Sequence, residues 1–543
     1  MLNRLVRRVF PLLSILTIIV IIGCSPKTST SNQESTQEVT LSTSSDIPSM
    51  NMTVATDLVS FNVMNNVFEG LYTKDKDGKT IPALASKTDI SKDFLTYTFH
   101  LRKDAKWSNG DPVTAKDFVF SWRKMVDPAV ASGYGYMYDG LIANATEIIN
   151  SKQDLSTLGV EAVDDNTLKV TLTQPTTYFL DLLSLPFFFP MNQTFVEAQG
   201  DDYGASSEHL VYNGPFLMKD WDAAKGGSWI LTKNPDYYDH DKIKVDKVTV
   251  RVIATETTNV NLYENKQLDY VALSGDYIDQ YKDRKDFHSR LESTSNFIEL
   301  NHTNPILANQ NVRQALTQSI NMASYAQDIM KDGSVPIYGF VPSGLAYNPN
   351  TSEDFRKESG DLTSYNPEQA KEAWAIALSE MQTDSVTLTL TTSDTDKSKK
   401  VAEYIQDQLQ TTLPGLTIIV KPVPFKVKQT NIRSGDFEMA MSNWIADFAD
   451  PVNYVERFHS GITRGKYKFD DVDALLDQAK AAYGDPIKRW ELLVKAEQVA
   501  IGQHYVQIPL YQTATAYLLN PNVHDIYLPV FGSENYRYIT ISQ

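Results

Sequence analysis

A strand–helix–strand pattern occupies residues 385–420, which read SVTLTLTTSDTDKSKKVAEYIQDQLQTTLPGLTIIV. Polar and apolar residues alternate from Ser385 to Thr391, as they do in a half-buried strand. Lys399 to Leu409 has the periodicity of a helix, and Thr417 to Val420 resembles a short buried strand. Two parallel strands need a long crossover, usually a helix, so the stretch predicts a compact α/β lobe with a parallel sheet.

Strand and helix signals continue to alternate from Asp46 to the end of the chain, which favours an α/β body throughout. The other predicted elements are a strand at 97–101, a turn at Asn109-Gly110, a helix from Ala115 opened by a Thr114/Asp117 capping box and stopped by Pro128, helices at 311–330, 367–381, 471–483 and 486–501, and a β region from Val506.

Composition excludes several classes of protein. Hydrophobic residues make up 42% of the chain, enough to build cores, so disorder over most of it is not expected. Lys+Arg 50 against Asp+Glu 67 gives a net charge of −17, opposite in sign to a nucleic-acid binder, so we expect no nucleic-acid partner. The 543 residues suggest about three domain-sized units.

The first 23 residues differ from the body. Basic residues precede an apolar run from Val9 to Ile22, which is shorter than the roughly 18–20 residues that span a bilayer. A basic start, a short apolar run and small residues after it predict a secretory signal peptide over 1–23. Residues 24–45 follow, with 12 Ser or Thr between 25 and 45 and no aromatic. That composition cannot bury a core, so it predicts a flexible tether.

Cys24 is the only cysteine, so the chain has no internal disulfide framework and no cysteine cluster for a metal. It stands where the apolar run ends. Ile21-Ile22-Gly23-Cys24 resembles a bacterial lipobox, in which the cysteine is diacylated and becomes the new first residue. Each CH₂ group of an acyl chain contributes about 0.8 kcal/mol to membrane binding when it is buried in the bilayer, so two acyl chains anchor a protein firmly to the membrane. The alternative is a chance cysteine in an ordinary signal peptide.

Signatures of common enzyme and metal chemistry are absent from the sequence. It contains no G-x-x-x-x-G-K-[ST], H-E-x-x-H or G-x-S-x-G motif, and no histidine pair at helical metal-ligand spacing. We therefore expect no metal and no cofactor. Asp447 and Asp450, beside Trp444, form the densest carboxylate group. They can face one pocket, or they can belong to a turn, since Asp450-Pro451 favours turns and Asp447 can cap a helix.

Short motifs follow one another along the body. They are NNVFEGLY at 65–72, KDGK at 76–79, PALA at 82–85, YTFHLR at 97–102, WSNGDPVTAKDF at 107–118, NGPF at 213–216, LD at 268–269, NVRQAL at 311–316, WIADFADP at 444–451 and IPLY at 508–511. The ordered series resembles the bacterial extracytoplasmic solute-binding proteins of the oligopeptide- and dipeptide-binding type, which are the capture subunits of peptide ABC importers.

The resemblance implies a two-lobed, periplasmic-binding-protein-like (type II) α/β fold with an extra domain inserted in lobe one. It assigns 46–85, 209–298 and 509–543 to lobe one, 86–208 to the inserted domain, and 299–508 to lobe two. It implies a monomeric binding protein, not an enzyme, that takes oligopeptides and docks on ABC permease subunits with separate ATPases. Its place is the extracytoplasmic face of the bacterial cell membrane, lipid-anchored at Cys24.

The resemblance also implies roles for particular residues. In peptide-binding members, the aspartate of a W-x-A-D motif pairs with the peptide ammonium, and the matching residue is Asp447. Trp444, Ile445 and Ala446 are expected in the same cleft. Glu69-Gly70-Leu71 matches a segment whose backbone forms hydrogen bonds with an extended peptide, as an added strand would. Recognition of this kind uses the main chain of the peptide and does not depend on its side chains.

The chain departs from the family at the site for the peptide carboxylate. Some members place an arginine three residues before the cleft tryptophan, where this chain has Met441, and use a histidine that aligns with Asp396. We therefore expect a longer ligand, or a carboxylate that meets another base or solvent. Lys397, Lys399 and Arg433 are unranked candidates for that base.

Four alternatives remain open on the sequence alone. A peptide-pheromone receptor and a binder of another small solute would share the fold. A secreted hydrolase would use Asp447 and Asp450 as a carboxylate pair, and a surface adhesin would bind peptides only incidentally.

Overall fold

The computed structural model describes residues 37–542; Cys24, the predicted signal peptide and the first part of the predicted tether lie outside this range. The strands are β1 (Glu38–Thr43), β2 (Tyr72–Lys74), β3 (Thr80–Pro82), β4 (Ala85–Ile90), β5 (Thr96–Leu101), β6 (Val160–Asp164), β7 (Thr167–Thr171), β8 (Phe216–Lys219), β9 (Trp229–Lys233), β10 (Lys247–Val252), β11 (Tyr270–Leu273), β12 (Phe287–Leu300), β13 (Val335–Pro336), β14 (Val386–Ser393), β15 (Leu416–Val423), β16 (Met439–Ile445), β17 (Gln507–Leu519), β18 (Val523–His524) and β19 (Thr540–Ile541).

The α-helices are α1 (Leu58–Val67), α2 (Ala115–Val126), α3 (Ala145–Ile149), α4 (Phe179–Leu182), α5 (Gln193–Gln199), α6 (Glu256–Glu264), α7 (Asp276–Tyr281), α8 (Pro305–Ala308), α9 (Gln310–Gln318), α10 (Met322–Ser324), α11 (Phe355–Ser359), α12 (Pro367–Met381), α13 (Asp396–Thr412), α14 (Phe425–Ser434), α15 (Val452–Val455), α16 (Asp470–Ala481) and α17 (Pro486–Gly502). The predicted helices at 367–381, 471–483 and 486–501 are confirmed as α12, α16 and α17.

The strands assemble into mixed sheets. The sheet orders are β1-β10-β9-β8, β4-β5-β7-β6 and β11-β17-β12-β16-β14-β15 with β13 on β17, beside the small pairs β2-β3 and β18-β19. β14 is parallel to both β15 and β16, and β1 is parallel to β10. Parallel strands connected by helices confirm the α/β prediction.

Apart from Ala85, the first residue of β4, the β4-β5-β7-β6 sheet lies within the segment predicted to be an inserted domain. The strand predicted at 97–101 is β5, and α2 begins at Ala115 as the capping box predicts: the N–H of Thr114 donates to Asp117 Oδ2 at 2.7 Å. The turn before it is also confirmed, since Gly110 has a φ of +94° and donates its N–H to the carbonyl of Trp107 at 2.8 Å.

The β1-β10-β9-β8 sheet corrects the predicted tether. Residues 24–45 are not a tether throughout, because Glu38–Thr43 form β1 and pair in parallel with all six residues of β10. Val39 and Leu41 point to one face and are 1% and 3% exposed. The tether was predicted from the high Ser/Thr content of the whole segment, which gave no weight to the alternation of Val39 and Leu41 with polar residues. Threonine is also common in strands.

The strand–helix–strand prediction at 385–420 is confirmed. β14 pairs with β15 in parallel along all eight residues, and α13 forms the crossover between them. The helix buries Val401, Ile405 and Leu409 in the same core as Leu388 and Leu390 of β14, each 1% exposed or less. A fully buried aliphatic side chain contributes roughly 1.5–3 kcal/mol, so this core fixes which face of the helix meets the sheet.

β12 and β17 are the longest strands of the described chain, and they pair with each other. Phe297 pairs with Pro509 and Ile298 pairs with Ile508. The two predicted lobe boundaries, at 298/299 and 508/509, therefore lie side by side within one pair of strands. Ile298 and Leu300 of β12 pack in one core with Ile508 and Leu510 of β17, so the packing is continuous across these two points.

The helix predicted over 311–330 is not continuous. α9 ends at Gln318, and α10 and a π-helical segment at Tyr325–Met330 follow after a break. The hydroxyl of Ser319 donates to the carbonyl of Ala315 at 2.7 Å, and Asn321 accepts the N–H of Ser324 at 3.2 Å. Side chains that bond the backbone in this way end one helix and cap the next.

His302 is largely enclosed beside the start of α8. Its ring centroid lies 4.7 Å from that of Tyr467, and its Nε2 lies 3.1 Å from the carbonyl oxygen of Val506. Burial, with the charge of Arg313 nearby, lowers the pKa of His302 to about 3. Below about pH 6.5 the unfolded chain protonates this histidine while the folded chain does not. The free energy of unfolding therefore decreases as the pH is lowered from about 6.5 towards the pKa of the folded state.

We expect His302→Gln to reduce the pH dependence of the free energy of unfolding between about pH 6.5 and pH 4 by up to about 1.4 kcal/mol per pH unit. Urea unfolding across this range measures the slope. His524→Gln, at an exposed position, is the matched control and should leave the slope unchanged. Equal slopes for His302→Gln and the unmodified chain would contradict the assignment.

Candidate functional site

The loop that follows β16 is fixed by the side chain of Asn453. Its Oδ1 accepts the indole N–H of Trp444 at 2.9 Å and the backbone N–H of Asp447 at 3.2 Å. Asn453 belongs to α15 and is 3% exposed. One buried amide thus joins the end of the strand, the loop and the helix, and holds Asp447 outward.

The carboxylate of Asp447 is open to solvent, yet protein encloses it on several sides. This partial burial raises its pKa, while the side chain of Asn453 and the charge of Arg457 oppose the rise. Within residues 37–542 it forms no ion pair. The guanidinium of Arg457 instead lies over the ring of Trp444, 4.0 Å from its centroid. Asp447 is therefore a partly desolvated carboxylate that forms no ion pair among the described residues.

Asp450 does not share a pocket with Asp447. Arg489 holds its carboxylate with two hydrogen bonds of 2.9 and 2.7 Å, and the N–H of Val452 donates to it at 2.8 Å. Both charged side chains are nearly buried, at 12% and 11% exposed. The turn interpretation therefore describes Asp450, which anchors the loop to α17.

Phe61, Tyr134, Tyr136 and Phe187 form an aromatic wall, and the charge of Asp447 reaches its two tyrosines. Tyr134 stacks on Phe187 with centroids 4.6 Å apart and meets the edge of Phe61 at 5.2 Å. Burial, and then the charge of Asp447, raises the pKa of Tyr136 to about 12; both also raise the pKa of Tyr134. The sequence analysis missed this wall, although the alternating tyrosines at 134, 136 and 138 were a visible signal.

The wall and the Asp447 loop belong to different hydrophobic cores. Phe61 and Phe187 are part of the core built around the first half of the chain, whereas Ala446 and Trp444 pack in the core around α16 and α17. Phe448 joins the two: its ring stacks on Tyr178 at 4.2 Å with an interplanar angle of 7°. Ile445, next to the loop, is 57% exposed.

The structure places Glu69 in the interior, away from the Asp447 loop. Glu69 is 1% exposed and accepts hydrogen bonds from Tyr237 at 2.8 Å, Tyr238 at 2.6 Å and Arg537 at 3.0 Å. The side chain of Asn213 bonds both its backbone N–H and its carbonyl, each at 3.0 Å. In this conformation Glu69 offers no main-chain group to an added strand, contrary to expectation.

Gly70 and Leu71 are buried in the same core and pair with the following strand region. The carbonyl of Gly70 accepts from Leu84, and that of Leu71 accepts from Ala83 and Ala85. A side chain at position 70 would meet Phe189 Cδ1 at 2.5 Å and the carbonyl oxygen of Leu183 at 2.6 Å. Close packing, and not only ligand contact, accounts for glycine here.

We expect Gly70→Ala to lower the free energy of unfolding by about 1–3 kcal/mol, because the added methyl overlaps backbone as well as a ring. Thermal or urea unfolding measures the change. Gly484→Ala is the control, since its added carbon meets nothing closer than Phe94 Cε2 at 3.5 Å. If Gly70→Ala were as stable as the control, Phe189 and its neighbours would move aside at no cost in free energy, and the prediction would be wrong.

The candidates for a carboxylate site are spread over several positions. Asp396 is the first residue of α13, 99% exposed, and lies 3.7 Å from Lys399. Arg433 is exposed on α14. Met441 is partly buried on β16 and contributes no charge. Lys397 is exposed in the first turn of α13 and lines a cavity with Met441 to Asn443 of β16, so the candidate bases stay unranked.

A solvent-exposed carboxylate and an aromatic wall thus belong to two separate hydrophobic cores. The chain belongs to the bacterial extracellular solute-binding proteins: the family model described as "Bacterial extracellular solute-binding proteins, family 5 Middle" matches residues 79–465. The fold is the two-lobed type II periplasmic-binding-protein fold with an inserted domain. Among residues 37–542, no helix is long and apolar enough to cross a membrane.

Similar proteins cover nearly the whole chain. A dipeptide-binding protein of Lactococcus lactis subsp. cremoris (strain MG1363) is 36% identical over 525 residues, 93% of this chain and 93% of that protein. Listeria monocytogenes OppA bound to peptide is 38% identical, with a TM-score of 0.69 over 94% of this chain and all of that one. The pheromone receptor PrgZ is 34% identical, with a TM-score of 0.70 and the same coverage.

Proposed function

We propose that this chain captures oligopeptides in the cleft and delivers them to an ABC permease served by separate ATPases. Asp447 carries the proposal. A partly desolvated carboxylate without an ion pair among the described residues suits a peptide α-ammonium, which must itself be paired when buried. Tyr134 and Tyr136, the members of the aromatic wall that are not buried, offer ring surface to peptide side chains. The names of the similar dipeptide- and peptide-binding proteins support the same ligand class.

The lobes are proposed to follow the boundaries given by the sequence: 46–85, 209–298 and 509–543 for lobe one, 86–208 for the inserted domain, and 299–508 for lobe two. Movement of the lobes about the connections between them would close the cleft over a ligand. Closure requires that the ligand bind the closed state more tightly than the open one.

Attachment to the outer face of the cell membrane is proposed to run through diacylated Cys24, which lies outside the described residues. The lipobox-like residues 21–24 and the preceding apolar run support it. Labelled palmitate should enter the unmodified chain and not Cys24→Ser. Equal labelling of both would contradict the anchor.

Native mass spectrometry of the purified protein tests the ligand class directly. We expect bound masses that tandem sequencing resolves into peptides, and we expect Asp447→Ala, purified in the same way, to carry much less of them. Recovery of a non-peptide solute alone would contradict the proposal and favour another ligand of the same fold.

We propose that the protein binds its peptide ligand without catalysing a reaction on it. Asp450 is held by Arg489, so Asp447 has no second free carboxylate from this loop as an acid–base partner. Among residues 37–542, no three His, Cys, Asp or Glu side chains are arranged to hold a metal ion. A labelled peptide incubated with the purified protein should remain intact; cleavage lost in Asp447→Ala would favour the hydrolase instead.

Peptide-pheromone sensing is the second candidate, and similarity to the receptor PrgZ favours it. The same cleft would serve peptide import or pheromone sensing, so the two roles differ in the protein that receives the bound peptide. Permease and ATPase genes beside the coding gene would support import, whereas an isolated gene would favour sensing.

A further inference from the structure

Tyr178, inside the proposed boundaries of the inserted domain, contacts lobe two. It stands immediately before α4. The next residue, Phe179, is 0% exposed and packs against Tyr97 of β5 with ring centroids 4.9 Å apart. The main chain at Tyr178 is therefore fixed by the core of the inserted domain, while its ring stacks on Phe448, in the loop that carries Asp447.

Phe448 is the lobe-two partner in this contact, and it packs in a different core from its neighbours in the chain. Ala446 and Ala449, on either side of it, pack in the core around α16 and α17. Phe448 instead belongs to the core built around the first half of the chain, and it is 9% exposed. Its ring is nearly parallel to that of Tyr178, at an interplanar angle of 7°. A side chain of the inserted domain thus contacts the residue next to Asp447.

The hydroxyl of Tyr178 is coupled by charge to the group that anchors the same loop. Burial raises the pKa of this hydroxyl, the charges of Glu456 and Asp450 raise it further, and the charge of Arg489 opposes them. Asp450 and Arg489 are the hydrogen-bonded pair that fixes the loop to α17. The inserted domain therefore acts on this loop at Phe448 by contact and at Asp450 by charge.

A loop that is ordered before the ligand arrives does not have to be ordered by the ligand, so binding becomes tighter. From lobe two, Asn453 accepts the N–H of Asp447 at 3.2 Å, and Arg489 fixes Asp450. The ring stack adds support from the inserted domain. An aromatic pair of this kind is worth roughly a two- to tenfold change in an equilibrium constant beyond the area that it buries.

We propose that Tyr178 positions Asp447 for the ligand: through its stack on Phe448, the inserted domain holds in place a loop that belongs to the other lobe. The proposal rests on the proposed peptide-binding function. Tyr178 acts through Phe448 and is therefore a positioning residue. The inserted domain thereby takes part in recognising the peptide ammonium, although the carboxylate itself lies on lobe two.

A second aromatic contact between the inserted domain and lobe two provides a matched control. Phe94, in the turn between β4 and β5, meets Tyr483 edge to face, with ring centroids 6.2 Å apart and an interplanar angle of 69°. Tyr483 lies in the turn between α16 and α17, outside the Asp447 loop. Phe94→Leu therefore weakens the contact between the two bodies without removing a contact of the loop.

The test uses native mass spectrometry with two equimolar libraries of pentapeptides, one with free and one with acetylated amino termini. The readout is the enrichment of the free amine over the acetylated form, because only the free amine needs Asp447. We expect Tyr178→Leu and Phe448→Leu each to lower this enrichment roughly two- to tenfold. Tyr178→Phe keeps the ring and should keep the enrichment. The double leucine variant should lose no more than either single variant, because both substitutions break the same contact.

Phe94→Leu should leave the enrichment unchanged, and urea unfolding checks that every variant is folded. Unchanged enrichment in Tyr178→Leu and Phe448→Leu, or losses that add in the double variant, would overturn the proposal. An equal fall in Phe94→Leu would also overturn it, because general docking of the inserted domain would then be responsible. Absence of any enrichment in the unmodified chain would overturn the role of Asp447 as well, and failure to bind either library would overturn the peptide function.

Discussion

Replacing Glu497 with alanine is expected to lower the free energy of unfolding by about 3–5 kcal/mol. Glu497 lies in α17, is 0% exposed, and accepts from the backbone N–H groups of Phe340 and Val341 at 2.7 and 2.8 Å. Arg356 Nη1 and the hydroxyl of Ser359 also donate to it, at 2.7 and 2.5 Å. Alanine would leave a guanidinium and three other donors buried without their acceptor, which is costlier than losing the bonds themselves.

Urea unfolding followed by circular dichroism measures this loss. Glu491→Ala, at an exposed position on the same helix, should stay within about 0.5 kcal/mol of the unmodified chain. The double variant Arg356→Met with Glu497→Leu should recover much of the lost stability, because it removes the stranded charge together with its partner. A loss below about 1 kcal/mol for Glu497→Ala alone would contradict the role of this group.

The elements that sequence predicts well here are those whose signals are local. The alternation at 385–391 and the helical period at 399–409 come from residues that contact one another across β14 and α13, and both were confirmed. The capping box of Thr114 and Asp117 spans four residues and was confirmed with its hydrogen bond. The break in the 311–330 helix depends on side-chain to backbone bonds, which hydrophobic periodicity does not detect.

The parts of the site that sequence missed depend on distant partners. Glu69 is bonded by Tyr237 and Arg537, which are 168 and 468 residues further along the chain, so its burial has no local signal. Lys428 is 6% exposed although most residues of α14 around it are exposed, so the local sequence resembles a solvated helix. Local sequence also does not record that the charge of Asp447 acts on Tyr134 and Tyr136, because the wall and the Asp447 loop belong to different cores.

Replacing Asp447 with asparagine is expected to weaken binding of a peptide with a free amino terminus by about 2–5 kcal/mol, or about thirtyfold or more. Asparagine keeps the shape of the side chain and the backbone bond to Asn453, so the loop should remain in place. What it removes is the negative charge that a buried ammonium needs. Calorimetry with a peptide recovered from the native protein measures the loss, and Asp436→Asn, at an exposed position before β16, is the control.

Two further readouts separate a charge effect from a disturbed loop. Acetylating the peptide's amino terminus removes the ammonium, so the unmodified chain and Asp447→Asn should bind the acetylated peptide equally weakly. Because burial raises the pKa of Asp447, the unmodified chain should lose affinity as the pH falls through that raised value, where the carboxylate becomes neutral. Asp447→Asn has no proton to gain there and should lack this dependence. A variant that loses affinity for both forms of the peptide would indicate that the loop, and not the charge, is responsible.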